Sequence, residues 1–185
     1  MEGIRERVCV FAGSRPGNRP AYLDAARALG AAIAHRGLGM VYGGTTIGLM
    51  GACADAAMKG GSEVTGVLPR ALTSREIAHH GITELRIVSS LHERKAVMSA
   101  LSDAFIALPG GSGTMDELFE AITWRQLGLH DKPIGILDAE GYYADLIRFI
   151  EHSSREGFQP EGGLVIRRDA GELVDALLPG RARAT

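Results

Sequence analysis

The chain has 185 residues, enough for one domain with a substantial core, and 45% of them are hydrophobic. A formal charge of -2 without a long basic run argues against a nucleic-acid surface, and 23% charged residues is an ordinary globular share. No apolar run reaches the roughly 20 residues of a membrane span, and no basic-apolar-cleavage pattern opens the chain, so a cytoplasmic setting without a membrane partner is expected.

Residues 8–12, Val-Cys-Val-Phe-Ala, read as a first buried strand that turns at Gly13-Ser14-Arg15-Pro16-Gly17. Ser14 and Arg15 offer a hydroxyl and a guanidinium to a ligand, or are simply solvated. Over residues 20–35, Tyr22, Leu23, Ala26, Leu29, Ala32 and Ile33 form a helical stripe. Pro20 suits its first turn and Gly37 its end. Residues 38–42 are a second strand. They run into Gly43-Gly44-Thr45-Thr46-Ile47-Gly48-Leu49-Met50-Gly51, which feeds an alanine-rich helix to about residue 59. A third strand, 63–68, stops at Pro69. Residues 70–82, with Arg70, Arg75, His79 and His80, are irregular. The adjacent histidines have no third ligand at a useful spacing, and no metal is expected. The two cysteines, Cys9 and Cys53, lack CxxC spacing, so no disulfide framework is expected either.

Residues 84–88 are a fourth strand, after which Ser89 or Ser90 caps a helix whose first turns hold His92, Glu93, Arg94 and Lys95. Cations there oppose the helix dipole and call for an anion, either Glu93 or a group outside the helix. The apolar run 104–108 then enters Pro109-Gly110-Gly111-Ser112-Gly113-Thr114-Met115-Asp116-Glu117. Strand, glycine turn and helix start let backbone N–H groups converge on an anion, each contact contributing about 0.3–1 kcal/mol. The same turn equally serves packing, with Asp116 and Glu117 as ordinary early-helix residues. It is neither a P-loop nor a dinucleotide fingerprint.

A strand at 133–137, a helix around 143–153, a weak strand at 162–166 and a short helix at 170–178 follow, with a frayed tail at 181–185. This alternation predicts one α/β domain over residues 1–185, a three-layer arrangement with a mostly parallel sheet and helices on both faces. In such a sheet Arg94 and Glu117 face one edge crevice, as a functional pair or as a structural ion pair. Glycine loops, cations and a carboxylate fit a nucleotide. The carboxylate would orient water, stabilise positive charge or exchange a proton. Binding without catalysis, as in a nucleotide sensor, fits the same residues.

The segment 109–117 resembles the PGGxGTxxE signature of the Lonely Guy (LOG) family, and His92-Glu93-Arg94-Lys95 resembles its second signature. Residues 9–14 and 42–51 are similar to its two earlier nucleotide loops. Ala12, Thr45 and Asp116 stand where the family often has cysteine, glycine and glutamate. The resemblance implies a Rossmann-like fold and cytokinin riboside 5'-monophosphate phosphoribohydrolase activity, with no cofactor. It implies Arg94 and Glu117 as catalytic residues and Gly110, Gly111, Gly113, Thr114 and Lys95 around the 5'-phosphate of a nucleoside monophosphate. Ser14 and Gly44 would be further nucleotide contacts, and Met98 would pack near the base. Met98 and the region of Trp124 are the expected surroundings of an N6 tail, or else ordinary core. A homodimer with shared active sites is also implied. Members often carry a lysine-decarboxylase label, which the family chemistry does not support.

Overall fold

The computed structural model describes residues 6–73 and 77–179; Arg75 and the expected tail at 181–185 lie outside the described residues. Seven strands form one sheet: β1 (Arg7–Phe11), β2 (Gly39–Tyr42), β3 (Val64–Pro69), β4 (Glu84–Val88), β5 (Ala104–Ala107), β6 (Ile134–Leu137) and β7 (Leu164–Arg167). Their order is β4-β3-β2-β1-β5-β6-β7, and every neighbouring pair is parallel. The helices are α1 (Pro20–His35), α2 (Gly48–Lys59), α3 (Arg70–Thr73), α4 (Leu91–Ala100), α5 (Ser112–Gln126), α6 (Ala144–Arg155) and α7 (Ala170–Leu177). The short α3 occupies part of the stretch expected to be irregular. Pro69 does not stop β3 but closes it, in register with Val88.

Alternation along β1 divides the core in two. Val8 and Val10 face a cluster with Leu29 and Ile33 of α1, Cys53 of α2, and Leu173 and Val174 of α7. Cys9 and Phe11 face the other, with Met98 of α4, Leu118 and Ala121 of α5, and Tyr143 just before α6. Side chains two apart on a strand share a face, so one buried strand supplies both layers. Strands buried on both faces read as nearly continuous apolar runs, which is why the central ones were legible. The result is the expected Rossmann-like three-layer α/β fold. Among the described residues, no helix is long and apolar enough to cross a membrane.

The strand order places the site. From β1 the chain winds outward through β2, β3 and β4, then returns to add β5 on the other side of β1. Loops after β1 and β5 therefore diverge at a topological switch point, opening a crevice beyond the carboxyl ends of the strands.

Candidate active site

Three loops close on one another at that crevice through backbone bonds. Gly13 N donates to Pro109 O at 3.0 Å, and Leu49 N donates to Gly13 O at 2.9 Å. The first joins the loops after β1 and β5; the second adds the loop after β2. Between them lies a cleft of about 710 Å³, within the range of small-molecule sites. Ser14 and Arg15 line it from the first loop, residues 109–114 from the third, and Arg94 and Glu117 from α4 and α5. Ile47, Leu49, Met50, Leu72 and Ile77 supply an apolar wall. The helix α5 begins at Ser112, with Gly111 at its cap. Its first N–H groups thus have no carbonyl within the helix to receive them, and they belong to the same stretch that lines the cleft.

Arg94 owes its place to α4. Ser90 caps this helix by accepting from Glu93 N at 3.1 Å, and Glu93 Oε2 accepts from Ser89 N at 2.7 Å. The Ser89 hydroxyl donates to the same oxygen, and it and the Ser89 N–H together hold the Glu93 carboxyl below its ordinary range. Part of the anion demanded by cations at this helix start is therefore local. The guanidinium itself reaches under the second loop: Nε donates to Val67 O at 3.1 Å and Nη2 to Gly43 O at 3.0 Å. Gly43 is required by that approach, because a Cβ there would lie 1.7 Å from Arg94 Nη2. With two donors fixed on backbone carbonyls, Nη1 is left 3.9 Å from Glu117 Oε1. The side chains of Arg94 and Glu117 are only 12% and 13% exposed, so their attraction is little screened.

Burial pushes the Glu117 carboxyl up from 4.5 to about 7. Arg94 opposes the rise, Asp116 adds to it, Lys95 opposes it and Glu120 adds to it. A carboxylate poised near neutrality beside a fixed guanidinium is a group suited to proton exchange and to stabilising developing positive charge.

Lys95, one residue on, turns the other way. Its Nζ donates to Glu120 Oε2 at 2.8 Å and Asp116 Oδ2 at 3.0 Å. Burial works against its charge, but these two carboxylates outweigh it and hold the ammonium above its ordinary range.

The structure thus gathers Ser14, Arg94, Gly110, Gly111, Gly113, Thr114 and Glu117 into one cleft. It does not bring Gly44, Lys95 or Met98 to that lining. Gly44 is turned under the second loop, where its carbonyl accepts from His79 N at 3.0 Å. Met98 is 1% exposed within the core, because the face of α4 that packs on the sheet is the one it occupies. Trp124 lines a surface groove along α5 with Met115 and Phe119 rather than the cleft. Thr45 does line the cleft, with its backbone tied to Ala78 by an isolated bridge. His79 has a structural setting: its Nδ1 lies 2.7 Å from Tyr42 Oη and its Nε2 3.2 Å from Asp55 Oδ1.

Several cleft residues escaped the sequence reading. Tyr22 and Tyr142 line the mouth, and Leu72 and Ile77 belong to the apolar wall. Tyr142 carried a signal, standing next to Tyr143 directly after a glycine beyond a strand; Tyr22 read as part of a helical stripe, and the aliphatics carried no signal.

Comparison with known proteins places this geometry among relatives. A family model described as "Possible lysine decarboxylase" matches residues 50–176. A cytokinin riboside 5'-monophosphate phosphoribohydrolase of the LOG type from Arabidopsis thaliana is 52% identical over 158 residues, which is 85% of this chain and 74% of that one. A probable enzyme of the same description from Oryza sativa subsp. japonica is 49% identical over 180 residues, 96% of this chain and 85% of that one. Among solved structures, the molybdenum cofactor carrier protein of Chlamydomonas reinhardtii superposes with a TM-score of 0.73 at 21% identity, covering 93% of this chain and 96% of that one. That last likeness is one of fold.

Proposed function

This chain belongs to the LOG family of cytokinin riboside 5'-monophosphate phosphoribohydrolases, and from that premise we propose that it hydrolyses the N-glycosidic bond of cytokinin riboside 5'-monophosphates and of AMP. The observation that carries this reading is the cleft in which residues 109–114 stand beside the Arg94–Glu117 pair. Gly110, Gly111, Gly113 and Thr114 receive the 5'-phosphate at the start of α5, where the helix dipole favours an anion. Ser14 contacts the nucleotide, and Arg94 and Glu117 act at the ribose. The C1'–N bond breaks with its electron pair leaving on the base, water adds to C1', and the proton that water sheds balances the one the base acquires. As a carboxylate, Glu117 organises that water and stabilises the oxocarbenium-like centre. Arg94 offsets the repulsion between Glu117 and the phosphate.

Lys95, expected beside the phosphate, is left out of the phosphate contacts in this reading, because its ammonium is turned from the cleft to Asp116 and Glu120. That pairing argues against the chemistry in the family model's description. A Schiff-base lysine must shed its proton, and two carboxylates at 2.8 and 3.0 Å stabilise the ammonium instead. A single-domain homodimer in the cytoplasm, without nucleic-acid or membrane partners, completes the reading. Exposed Leu127 and Leu129 at the end of α5 supply apolar surface for a second copy.

The base side of the cleft suggests breadth. Met98 and Trp124 are elsewhere, but Ile47, Met50, Leu72 and Ile77 offer an apolar wall to an N6 tail. At about 0.8 kcal/mol per buried methylene, a tail that buries the equivalent of one or two methylenes against this open wall gives a modest preference, roughly 4- to 15-fold, for N6-prenyl AMP over AMP, with both turned over. Purified protein incubated with either should release free base and ribose 5-phosphate. Adenosine plus inorganic phosphate would move the assignment to phosphatase chemistry, and tight binding without turnover would make the protein a sensor. Equal efficiency on the nucleosides would remove the anion site.

A further inference from the structure

Three consecutive carbonyls of the turn after β5 are each engaged by a different part of the chain. Leu108 O accepts from Tyr143 Oη at 2.5 Å, Pro109 O from Gly13 N at 3.0 Å, and Gly110 O from Tyr142 Oη at 2.5 Å. Two of the three donors are adjacent tyrosines, more than thirty residues along the chain, at the far side of β6. We propose that Tyr142 and Tyr143 are positioning residues of the anion site, a clamp that holds the carbonyls of the 108–110 turn back so that the N–H groups after them stay aimed at a phosphate. The inference rests on the reading that this turn binds the 5'-phosphate.

The physical need for a clamp is plain. A peptide turn presents N–H and C=O groups alternately, and a carbonyl oxygen swung toward a phosphate repels it as strongly as an N–H attracts it. The glycines that let the turn pass close to Thr114 and Gly13 also leave it free to rotate. A Cβ on Gly110 would lie 2.0 Å from Thr114 Oγ1 and 2.9 Å from Gly13 N, so a stiffer residue does not fit. Rigidity must come from outside the turn. Pro109 fixes one dihedral, and the three carbonyl bonds fix the peptide planes. The bond to Gly110 O does one thing more. That carbonyl shares its peptide with the N–H of Gly111, and a donor on the oxygen polarises the unit, making the N–H a better donor.

The two tyrosines are held differently, which separates their roles. Tyr143 is 1% exposed. Burial raises its hydroxyl far above the ordinary range, so it remains a proton donor. Its own N–H donates to Asp138 Oδ1 at 2.9 Å. Asp138 and the tyrosines are joined by a tight turn in which Glu140 adopts φ 54° and Gly141 φ 70°. A left-handed Glu is disfavoured relative to its usual conformations, and the bonds from Asp138 and to the 108–110 turn on either side hold this one in place. Tyr142, by contrast, is 43% exposed, lines the cleft, and meets the Tyr22 ring edge-on at 5.7 Å between centroids. Tyr22 stands on α1, so the clamp also ties the anion turn to the far wall of the cleft.

Tyr142→Phe keeps the ring and its contact with Tyr22 and deletes only the hydroxyl; at a partly exposed position it should fold normally. Wild type and Y142F are to be titrated with ribose 5-phosphate and adenosine by calorimetry, and kcat and KM measured with AMP. Loss of one net hydrogen bond predicts about 2- to 10-fold weaker binding of ribose 5-phosphate, with a matching rise in KM for AMP, little change in kcat and unchanged adenosine affinity. A merely structural role would not separate ligands with phosphate from those without. Wild-type affinity of Y142F for ribose 5-phosphate, or an equal loss for adenosine, would overturn the clamp. Y143F, which buries an unpaired Leu108 carbonyl, should show the same ligand discrimination together with a lower Tm. The two readings fail separately. A wild type that binds ribose 5-phosphate but does not hydrolyse AMP counts against the reaction and leaves the Y142F comparison to decide the clamp. A wild type that hydrolyses AMP but does not bind ribose 5-phosphate overturns the clamp and leaves the reaction standing.

Discussion

Glu117→Gln should lower turnover of AMP about 10²–10⁴-fold, equivalent to roughly 3–5 kcal/mol of transition-state stabilisation. It should leave substrate affinity unchanged or improved. Gln keeps the size of the side chain but removes the charge that would organise water and stabilise the oxocarbenium-like centre, while also removing a repulsion felt by the bound phosphate. The pH profile gives the same residue a second signature. With the Glu117 carboxyl raised to about 7, chiefly by burial, kcat/KM should climb with pH through that value and level off above it. The substrate phosphate titrates near pH 6 and contributes its own, lower inflection; only the inflection at about 7 should vanish in E117Q. Stability should run in the opposite sense. A carboxyl whose folded pKa is raised contributes stability that is fully present below 4.5 and is lost as pH rises through about 7. Relative to wild type, E117Q should therefore gain up to about 3 kcal/mol across that window, read from denaturant unfolding at acid and alkaline pH. Near-normal turnover in folded E117Q would remove the carboxylate from the mechanism.

Much of this site was legible because its parts are local. A short apolar run followed by Pro109-Gly110-Gly111-Ser112-Gly113 reads as strand, turn and helix start, and the chain folds that way from Ala104 to Gln126. The parallel sheet followed from alternation alone, and with it the expectation that Arg94 and Glu117 face one edge crevice; that the loop after β1 joins it was implied only by the family resemblance. Direction was harder to read. Arg94 and Lys95 are neighbours, and about 100° of helical rotation separates their side chains. One therefore reaches under Gly43 while the other pairs with Glu120 and Asp116 across α5. Met98 lies four residues beyond Arg94, on a helix whose apolar side packs on the sheet, and its burial is settled by that packing. The apolar wall was invisible for another reason. Leu72 and Ile77 come from the stretch around α3, whose irregular pattern gives no face to assign; its described part is placed by long-range backbone ties, Thr46 N to Ile77 O, His79 N to Gly44 O and the bridge from Thr45 to Ala78.

Arg94→Ala should cost turnover about as much as E117Q, and Gly43→Ala should reproduce most of that loss without touching a charged residue. The reason is steric. A Cβ on Gly43 would stand 1.7 Å from Arg94 Nη2 and 2.9 Å from its Cζ, so the guanidinium must leave the Gly43 and Val67 carbonyls that now fix it. The next atom met is Met50 Sδ at 3.1 Å, which a flexible side chain can relieve. Overpacking of this kind destabilises by about 1–3 kcal/mol when the obstructing group cannot move away. In the R94A background the obstruction is gone, and the added methyl should cost little. A double-mutant cycle of G43A and R94A is therefore expected to be strongly non-additive in both stability and kcat/KM, the double variant resembling R94A alone. Removing Arg94 also takes away the group that most opposes the burial effect on Glu117, so the inflection in kcat/KM should move above 7 in R94A. Additive losses in the cycle would mean that Gly43 serves the loop's backbone and not the guanidinium. Full activity in G43A would mean that Arg94 acts from somewhere other than its seat beneath the second loop.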